Sequence, residues 1–417
     1  MLSDIFSDPP HRRIFIRENL CYNYSMVKAE KIYIGGWFQR TTLHLSEIYD
    51  FLKEAESPLE LDKNKLAELH DGLEIESVEM KLANLDYVEL RSRSGIGVKI
   101  FEDGLIVLNK DNVTSVGDDL QELRDYYENK LSPSISYIFS LGAPIPKELA
   151  NIKTIYPYFV VLNKAEKSDI ESLLNKFEQE KYFEVTRGDF EIYRGDKLYV
   201  INNISEQLSD IERLIEEQIF IREFKTQLHR YLNLHRIIWE RIAEVKERGQ
   251  IRGNEVGSFK SKIESYGKTI NLIEARINQM DSYIKTRGRI FDSDKRLTEF
   301  VEVLNFKYET LSDTLEYIKD IWGMTKNYVD SALELFSGIQ ARSTESSVKN
   351  LTVITSMGVG ATLIGLFSQK LPEINLSGAI YFIVVALIGY MADKIMRVVS
   401  SRRMYKISEV EIVKDIK

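Results

Sequence analysis

Leu297, Phe300, Val301, Leu304, Tyr308, Leu311, Leu315 and Ile318 recur at spacings of three and four, and no proline interrupts the chain between Asp292 and Pro372. That period predicts one amphipathic helix with Asp292-Ser293 as its N-cap. Unbroken from Ser293 to Ser368 it would be about 110 Å long at 1.5 Å per residue, with Gly323 and Gly338 as the places for a bend. Two further amphipathic stretches precede it, Ser205–Arg248 and Glu255–Lys285, separated by the turn Gly249–Gly253. Their many Glu, Lys and Arg residues read as solvated faces rather than a site. A stripe as long as the stalk's needs neighbours, from its own chain or from other copies.

Residues 31 to 203 mix strand and helix periodicity in what reads as an internal duplication. The first unit places strands at Ile32–Phe38, Tyr87–Arg93 and Val98–Leu108, with helices at Leu45–Ala55 and Asp118–Lys130. The second places strands at Tyr156–Leu162, Tyr182–Thr186 and Asp189–Ile201, with a helix at Lys167–Glu180 before the long one. Each is β-α-β-β-α, with Asp-Gly or Gly-Asp hairpin turns after Phe101 and Tyr193. The units could share one sheet or pack face to face, and the chain is expected to turn at Ser132-Pro133-Ser134 and Pro144-Ile145-Pro146.

The pattern then loses its polar face. Val348–Ser368 is a 21-residue stretch whose single charge is Lys349, and Leu376–Ala392 adds 17 residues with none. Roughly 20 apolar residues span a bilayer core, so these read as two transmembrane helices. The connecting loop, residues 369–375, has zero net charge, whereas Lys394, Arg397, Arg402, Arg403 and Lys406 follow the second stretch. The positive-inside rule puts both ends in the cytoplasm of a multi-pass inner-membrane protein. The fold class expected is an α+β membrane protein with an N-terminal α/β domain, a helical stalk and a two-helix hairpin. Its parts are an N-terminal extension (1–30), the α/β domain (31–203, with repeats at 31–131 and 153–203), a helical pair (204–290), the stalk (292–347), the first span (348–368), an outer loop (369–375), the second span (376–392) and a basic tail (393–417).

Composition removes other classes. The 417 residues carry a net charge of -8, which disfavours general nucleic-acid binding. A single cysteine, Cys21, excludes an internal disulfide and any multi-thiolate metal site. The first residues contain acids and two prolines where a signal peptide needs an apolar core, so the N-terminus is expected to be cytoplasmic. His11, His44, His70, His229 and His235 form no HExxH, and neither Gly-x-Ser-x-Gly nor a Walker A sequence occurs; the chain is not expected to be an enzyme. Gly95-Ile96-Gly97 reads as a turn. One segment has the composition of a ligand loop: after Gly35-Gly36, Trp37 and Phe38 could stack on a base and Arg40 could pair with a phosphate. The same residues also suit a sheet-end core aromatic and a solvated arginine.

An α/β domain, a long stalk entering the first of two spans, a short outer loop and a basic tail together resemble the CorA family of pentameric divalent-cation channels. Gly365-Leu366-Phe367 followed by Leu371-Pro372-Glu373 is similar to that family's end of the first span. Ser368, Gln369 and Lys370 stand where the family has Gly, Met and Asn. The resemblance implies a homo-oligomer, a pentamer, in a lipid membrane, conducting a divalent cation such as magnesium. The missing signature, with Lys370 at the mouth, argues against magnesium selectivity. Divergent CorA-like proteins also occur as membrane effectors beside type III CRISPR systems, under a small nucleotide messenger, and the large N-terminal body fits that group. At 100° per residue, Ser347, Asn350, Leu351, Thr355, Gly358, Thr362, Gly365 and Gln369 share one arc of the first span. A small and polar stripe suits a pore or a tight helix seam, and a ring of Leu351 could gate by dewetting. Two other classes compete: a membrane-anchored oligomeric scaffold without a pore, and a membrane-bound hydrolase, for which no nucleophile–base pair can be named.

Overall fold

The computed structural model describes residues 29–38, 44–138, 157–187, 190–203, 209–246, 250–293 and 298–367, and eleven later positions between 384 and 406. Residues 1–28 of the N-terminal extension, Arg40, Pro144–Pro146, all of the expected outer loop and most of the expected second span lie outside the described residues, and the last two residues of that extension already belong to the first strand.

The first unit runs β1 (Ala29–Trp37), α1 (Leu45–Glu54), α2 (Lys63–Gly72), β2 (Ile75–Lys81), β3 (Tyr87–Ser92), β4 (Ile96–Phe101), β5 (Leu105–Asp111) and α3 (Val116–Tyr126). A π turn at Tyr127–Leu131 leads into α4 (Ser132–Ile138). The second runs β6 (Tyr158–Asn163), α5 (Lys167–Lys176), β7 (Phe183–Arg187), β8 (Phe190–Arg194) and β9 (Leu198–Asn203). Pro133 is therefore inside a helix and not in the expected turn. It occupies the first turn of α4, where a missing N–H costs least, directly after the widened π turn.

Both units share one nine-stranded sheet, ordered β2-β3-β4-β5-β1-β6-β9-β8-β7 among the described residues. The units meet where β1 pairs antiparallel with β6. They are not copies of equal length. The unpredicted strand β2 makes the first unit return antiparallel, β5 on β1, whereas the second returns parallel, β9 on β6.

The central strands bury both faces, as strands covered by helices on each side must. Ile32, Ile34, Ile106, Leu108, Val160 and Leu162 join the core under α1 to α5. Their neighbours Tyr33, Trp37, Leu105, Val107, Phe159 and Val161 face the opposite core, formed with three long helices. These are α6 (Ser209–Lys246), α7 (Val256–Ser293) and α8 (Thr298–Phe367). Gly35 lets α6 lie close on the sheet: a Cβ there would sit 2.6 Å from the Ile106 carbonyl oxygen and 2.8 Å from Ile219 Cγ2.

The three helices form a bundle. Tyr308, Leu311, Leu315, Ile318, Trp322, Thr325, Val329, Ala332, Phe336 and Ile339 of α8 are buried at alternating spacings of three and four, a heptad seam. Their neighbours come from the same chain. α6 runs parallel to α8, pairing His235 with Trp322 and Trp239 with Tyr328, while α7 runs antiparallel, pairing Lys326 with Glu274 and Phe336 with Phe259. The stripe thus does not by itself call for other copies. Asp292-Ser293, expected to cap the stalk, ends α7 instead, because the apolar period of α7 carries through Phe291.

α8 is assigned as one helix of 70 residues, unbroken across Gly323 and Gly338 and about 105 Å long. Beyond the bundle, β10 (Gln250–Arg252), between α6 and α7, pairs antiparallel with β11 (Met404–Lys406) of the tail. Lys260, soon after β10, bonds Gln340 of α8. From Gln340, α8 continues 27 residues to Phe367, about 40 Å, and by Met404 the chain has come back to the α6–α7 turn.

Candidate functional site

The β4–β5 turn carries Asp103 between Glu102 and Gly104, whose φ of 93° is a glycine conformation. Asp103 is 3% exposed, held from below by its Oδ1 accepting from the Leu105 amide at 3.2 Å and by its carbonyl accepting from Trp37 Nε1–H at 2.8 Å. Facing it, Arg287 of α7 is 1% exposed and forks onto the carboxylate through Nε and Nη2. Its Nη1 donates to Glu217 Oε1 of α6 at 3.1 Å. The other Glu217 oxygen accepts from the hydroxyl of Tyr308 on the stalk. Arg213 completes the charge balance, 3.4 Å from Glu217. The guanidinium of Arg287 also lies 4.5 Å from the Phe220 ring centroid.

Burial works against the charge on Arg287, but Asp103 and Glu217 outweigh it and hold the guanidinium protonated well above its ordinary range. Burial and then Glu217 push the Tyr308 hydroxyl well up, so it remains a donor. One closed network therefore ties the sheet, α6, α7 and the stalk, in a dry setting where each lost partner would leave an uncompensated charge. The solvated-face reading of α6 and α7 fails here: Glu216, Glu217, Glu223, Arg276 and Arg287 are all buried. The signal was present in the sequence. Arg287 continues the core spacing Ile277, Met280, Ile284, Phe291 as the one charged member.

Across the sheet face beside α6 lies a polar groove of about 290 Å³ whose lining includes Lys31, Glu89, Arg91, Lys99, Asn109 and Glu212. Its cations are matched by the protein's own acids. Asp111 lies 3.6 Å from Arg91 and 3.2 Å from Lys31, and Glu212 lies 3.7 Å from Lys31 and 3.1 Å from Lys99. Lys99 also meets Glu216 at 3.1 Å. Among the described residues no group of three or more His, Cys, Asp or Glu side chains is placed to hold a metal ion.

Of the ligand segment read from the sequence, Arg40 lies outside the described residues and the two aromatics pack on opposite sides of the sheet. Trp37 is 3% exposed, its ring packed 5.0 Å from Phe224 and edge-on to Phe220 and Tyr283, so it has no face to offer a base. The apolar period of β1 carries it into the bundle core. Phe38 is half-buried against the core on the other side of the sheet. Ser347, Asn350, Leu351, Thr355, Gly358, Thr362 and Gly365 lie on the continuous backbone of α8; Thr355 is exposed. Ser368, Gln369 and Lys370 lie outside the described residues. Among the described residues no helix is long and apolar enough to cross a membrane.

No model of a known protein family matches the chain, and no curated protein does. Among solved structures it is similar to the complete CorA magnesium transporter of Methanocaldococcus jannaschii at 12% identity, covering 60% of this chain and 91% of that one, with a TM-score of 0.28. It is also similar to the soluble domain of the same transporter at 10% identity, covering 46% of this chain and 92% of that one, with a TM-score of 0.24. Overlap this low carries no weight for activity.

Proposed function

We propose that the chain is a subunit of a CorA-like homo-oligomeric membrane ion channel, with the sheet and bundle in the cytoplasm and the chain crossing the membrane as a hairpin. The supporting observation is the course of α8, which leaves the sheet domain at Tyr308 and runs as one helix into an uncharged stretch ending at Phe367. The uncharged part of α8, Asn350 to Phe367, is 18 residues or about 27 Å, close to the thickness of a bilayer core, and the return of the tail to β10 at the bundle end suits a hairpin with both ends on one side. Val384, Leu387 and Met391, spaced three and four apart in the second apolar stretch, are helical and exposed in the single chain, as lipid-facing or subunit-facing positions would be.

Oligomer formation is supported by apolar stalk residues that α6 and α7 leave uncovered: Phe306 (69% exposed), Tyr317 (58%) and Met324 (61%). A pentamer follows the resemblance. The first-span arc from Ser347 to Gln369 would line the pore and Leu351 would close it. Ser368, Gln369 and Lys370 offer no carboxylate and no Gly-Met-Asn turn, so magnesium selectivity should be weak.

Control from the cytoplasmic side would pass through the Asp103, Arg287, Glu217 and Tyr308 network, since a ligand shifts the pore only by its difference in affinity between two arrangements of the domain. A nucleotide messenger in type III CRISPR defence is the finer form of this reading, and it comes from resemblance alone. Ion flux from liposomes carrying the purified protein separates the channel from a pore-free scaffold.

A further inference from the structure

The register of the first unit explains the groove beside α6. Gly97 of β4 stands between Arg91 of β3 and Asn109 of β5 in one row across the sheet, and all three line the groove. Having no side chain, Gly97 leaves room for the Asn109 amide to lie across it: a Cβ there would sit 2.8 Å from Asn109 Oδ1 and 3.0 Å from Nδ2. Asn109 is only 6% exposed, yet its amide makes no hydrogen bond among the described residues. Buried polar side chains in native proteins are nearly always met by protein, water or a ligand.

Two residues along the same face, Glu89 of β3 stands directly between Glu79 of β2 and Lys99 of β4. Lys99 is the cross-strand neighbour that would ordinarily neutralise it. Instead the Lys99 Nζ turns to Glu212 and Glu216 of α6, at 3.1 Å from each, and Lys81 is taken by Glu79. Glu89 is left half-buried, opposite a like charge, with no ion pair among the described residues. The cations of the groove all have acids within reach, so its open valences are a carboxylate and a buried amide.

We propose that this groove binds a small organic cation, whose ammonium or guanidinium N–H groups are accepted by the Glu89 carboxylate and the Asn109 Oδ1 over Gly97. The charge satisfies the carboxylate that Lys99 leaves unpaired, and the volume of about 290 Å³ is that of a small-molecule site. Asn109 Nδ2–H remains to serve an acceptor elsewhere on the ligand. Because Glu212 of α6 also lines the groove, a bound cation touches both the sheet and the first helix of the bundle. Binding stands on these residues alone; an effect on ion flux rests on the channel reading.

The test is thermal unfolding of the full chain in detergent with putrescine, agmatine, magnesium or tetramethylammonium, all as chlorides at matched ionic strength. Putrescine and agmatine should raise the unfolding temperature, and tetramethylammonium, which has the charge but no N–H, should not. Glu89→Gln should weaken apparent amine affinity about tenfold or more. Asn109→Leu should weaken it in the same direction and, by removing an unmet amide, should not lower stability without ligand. Glu89→Gln, at a half-buried position, keeps the test open if Asn109→Leu does not fold. A stronger response to agmatine marks a guanidinium as the ligand group, and an equal one marks the ammonium. Equal effects of putrescine and tetramethylammonium, an amine response unchanged in both variants, or a response to magnesium alone overturns the site. Amine binding with no flux in liposomes would retain the groove and remove the channel; flux with no amine response would do the reverse.

Discussion

Arg287 near the end of α7 closes a two-pronged ion pair on Asp103 at the β4–β5 turn, 184 positions earlier in the chain. Through Glu217 the same guanidinium is one hydrogen bond removed from Tyr308 on the stalk. Sheet and stalk are thus joined by a contact whose partners are all buried.

Arg287→Met should destabilise the protein by about 3–5 kcal/mol, because Asp103 and Glu217 would then be buried without a counter-charge. The triple variant Arg287→Met, Asp103→Asn, Glu217→Gln should recover much of that loss. Denaturant titration of the wild type, Arg287→Met and the triple variant checks both statements. A loss under 1 kcal/mol for Arg287→Met would mean that water or another cation replaces the guanidinium.

Gly35→Ala should cost on the order of 1–3 kcal/mol, since its Cβ would overlap the Ile106 carbonyl and the Ile219 side chain. Adding Ile219→Ala removes one obstacle and leaves the backbone one, so it should not restore stability. Unfolding temperatures of the single and double variants decide this.

The fold was legible where packing imposes a period. The heptad of α8 from Tyr308 to Ile318 and the apolar alternation of β1 and β6 could be read directly, because one set of neighbours selects each face. β2 and α2 escaped notice for the opposite reason: β2 is a sheet edge with exposed Glu76, Ser77 and Glu79, and α2 buries only Leu66. The network was not legible as a site, because Asp103, Glu217 and Arg287 acquire meaning only when distant elements meet. Trp37 misled because stacking on a ligand and packing in a core demand the same side chain.

Glu223 of α6 supplies a pH test. Burial pushes its carboxyl up to about 8, against the opposing pull of Arg230 and Arg222. The folded state therefore holds this proton more tightly than the unfolded state, whose value is near the ordinary 4.5. Its contribution favours folding least at high pH, and stability should decline as pH rises from about 4.5 through 8. Glu223→Gln should flatten that decline and be more stable than wild type at pH 9. A wild-type decline of equal slope in the variant would place the titrating group elsewhere.

Phe306, Tyr317 and Met324 stand on the face of the stalk that its own chain leaves open. Replacing all three by Ser should lower the oligomeric mass in detergent while leaving helix content unchanged. Mass photometry with circular dichroism reads both; an unaltered oligomer would move the subunit contact off this face.

Ion flux from liposomes containing the reconstituted full chain, compared with Leu351→Ser, tests the channel most directly. Flux above that of protein-free vesicles, raised in Leu351→Ser by loss of the dewetting ring, is the predicted result. An inserted oligomer that conducts no ion in either form would contradict the channel and leave a membrane-anchored scaffold.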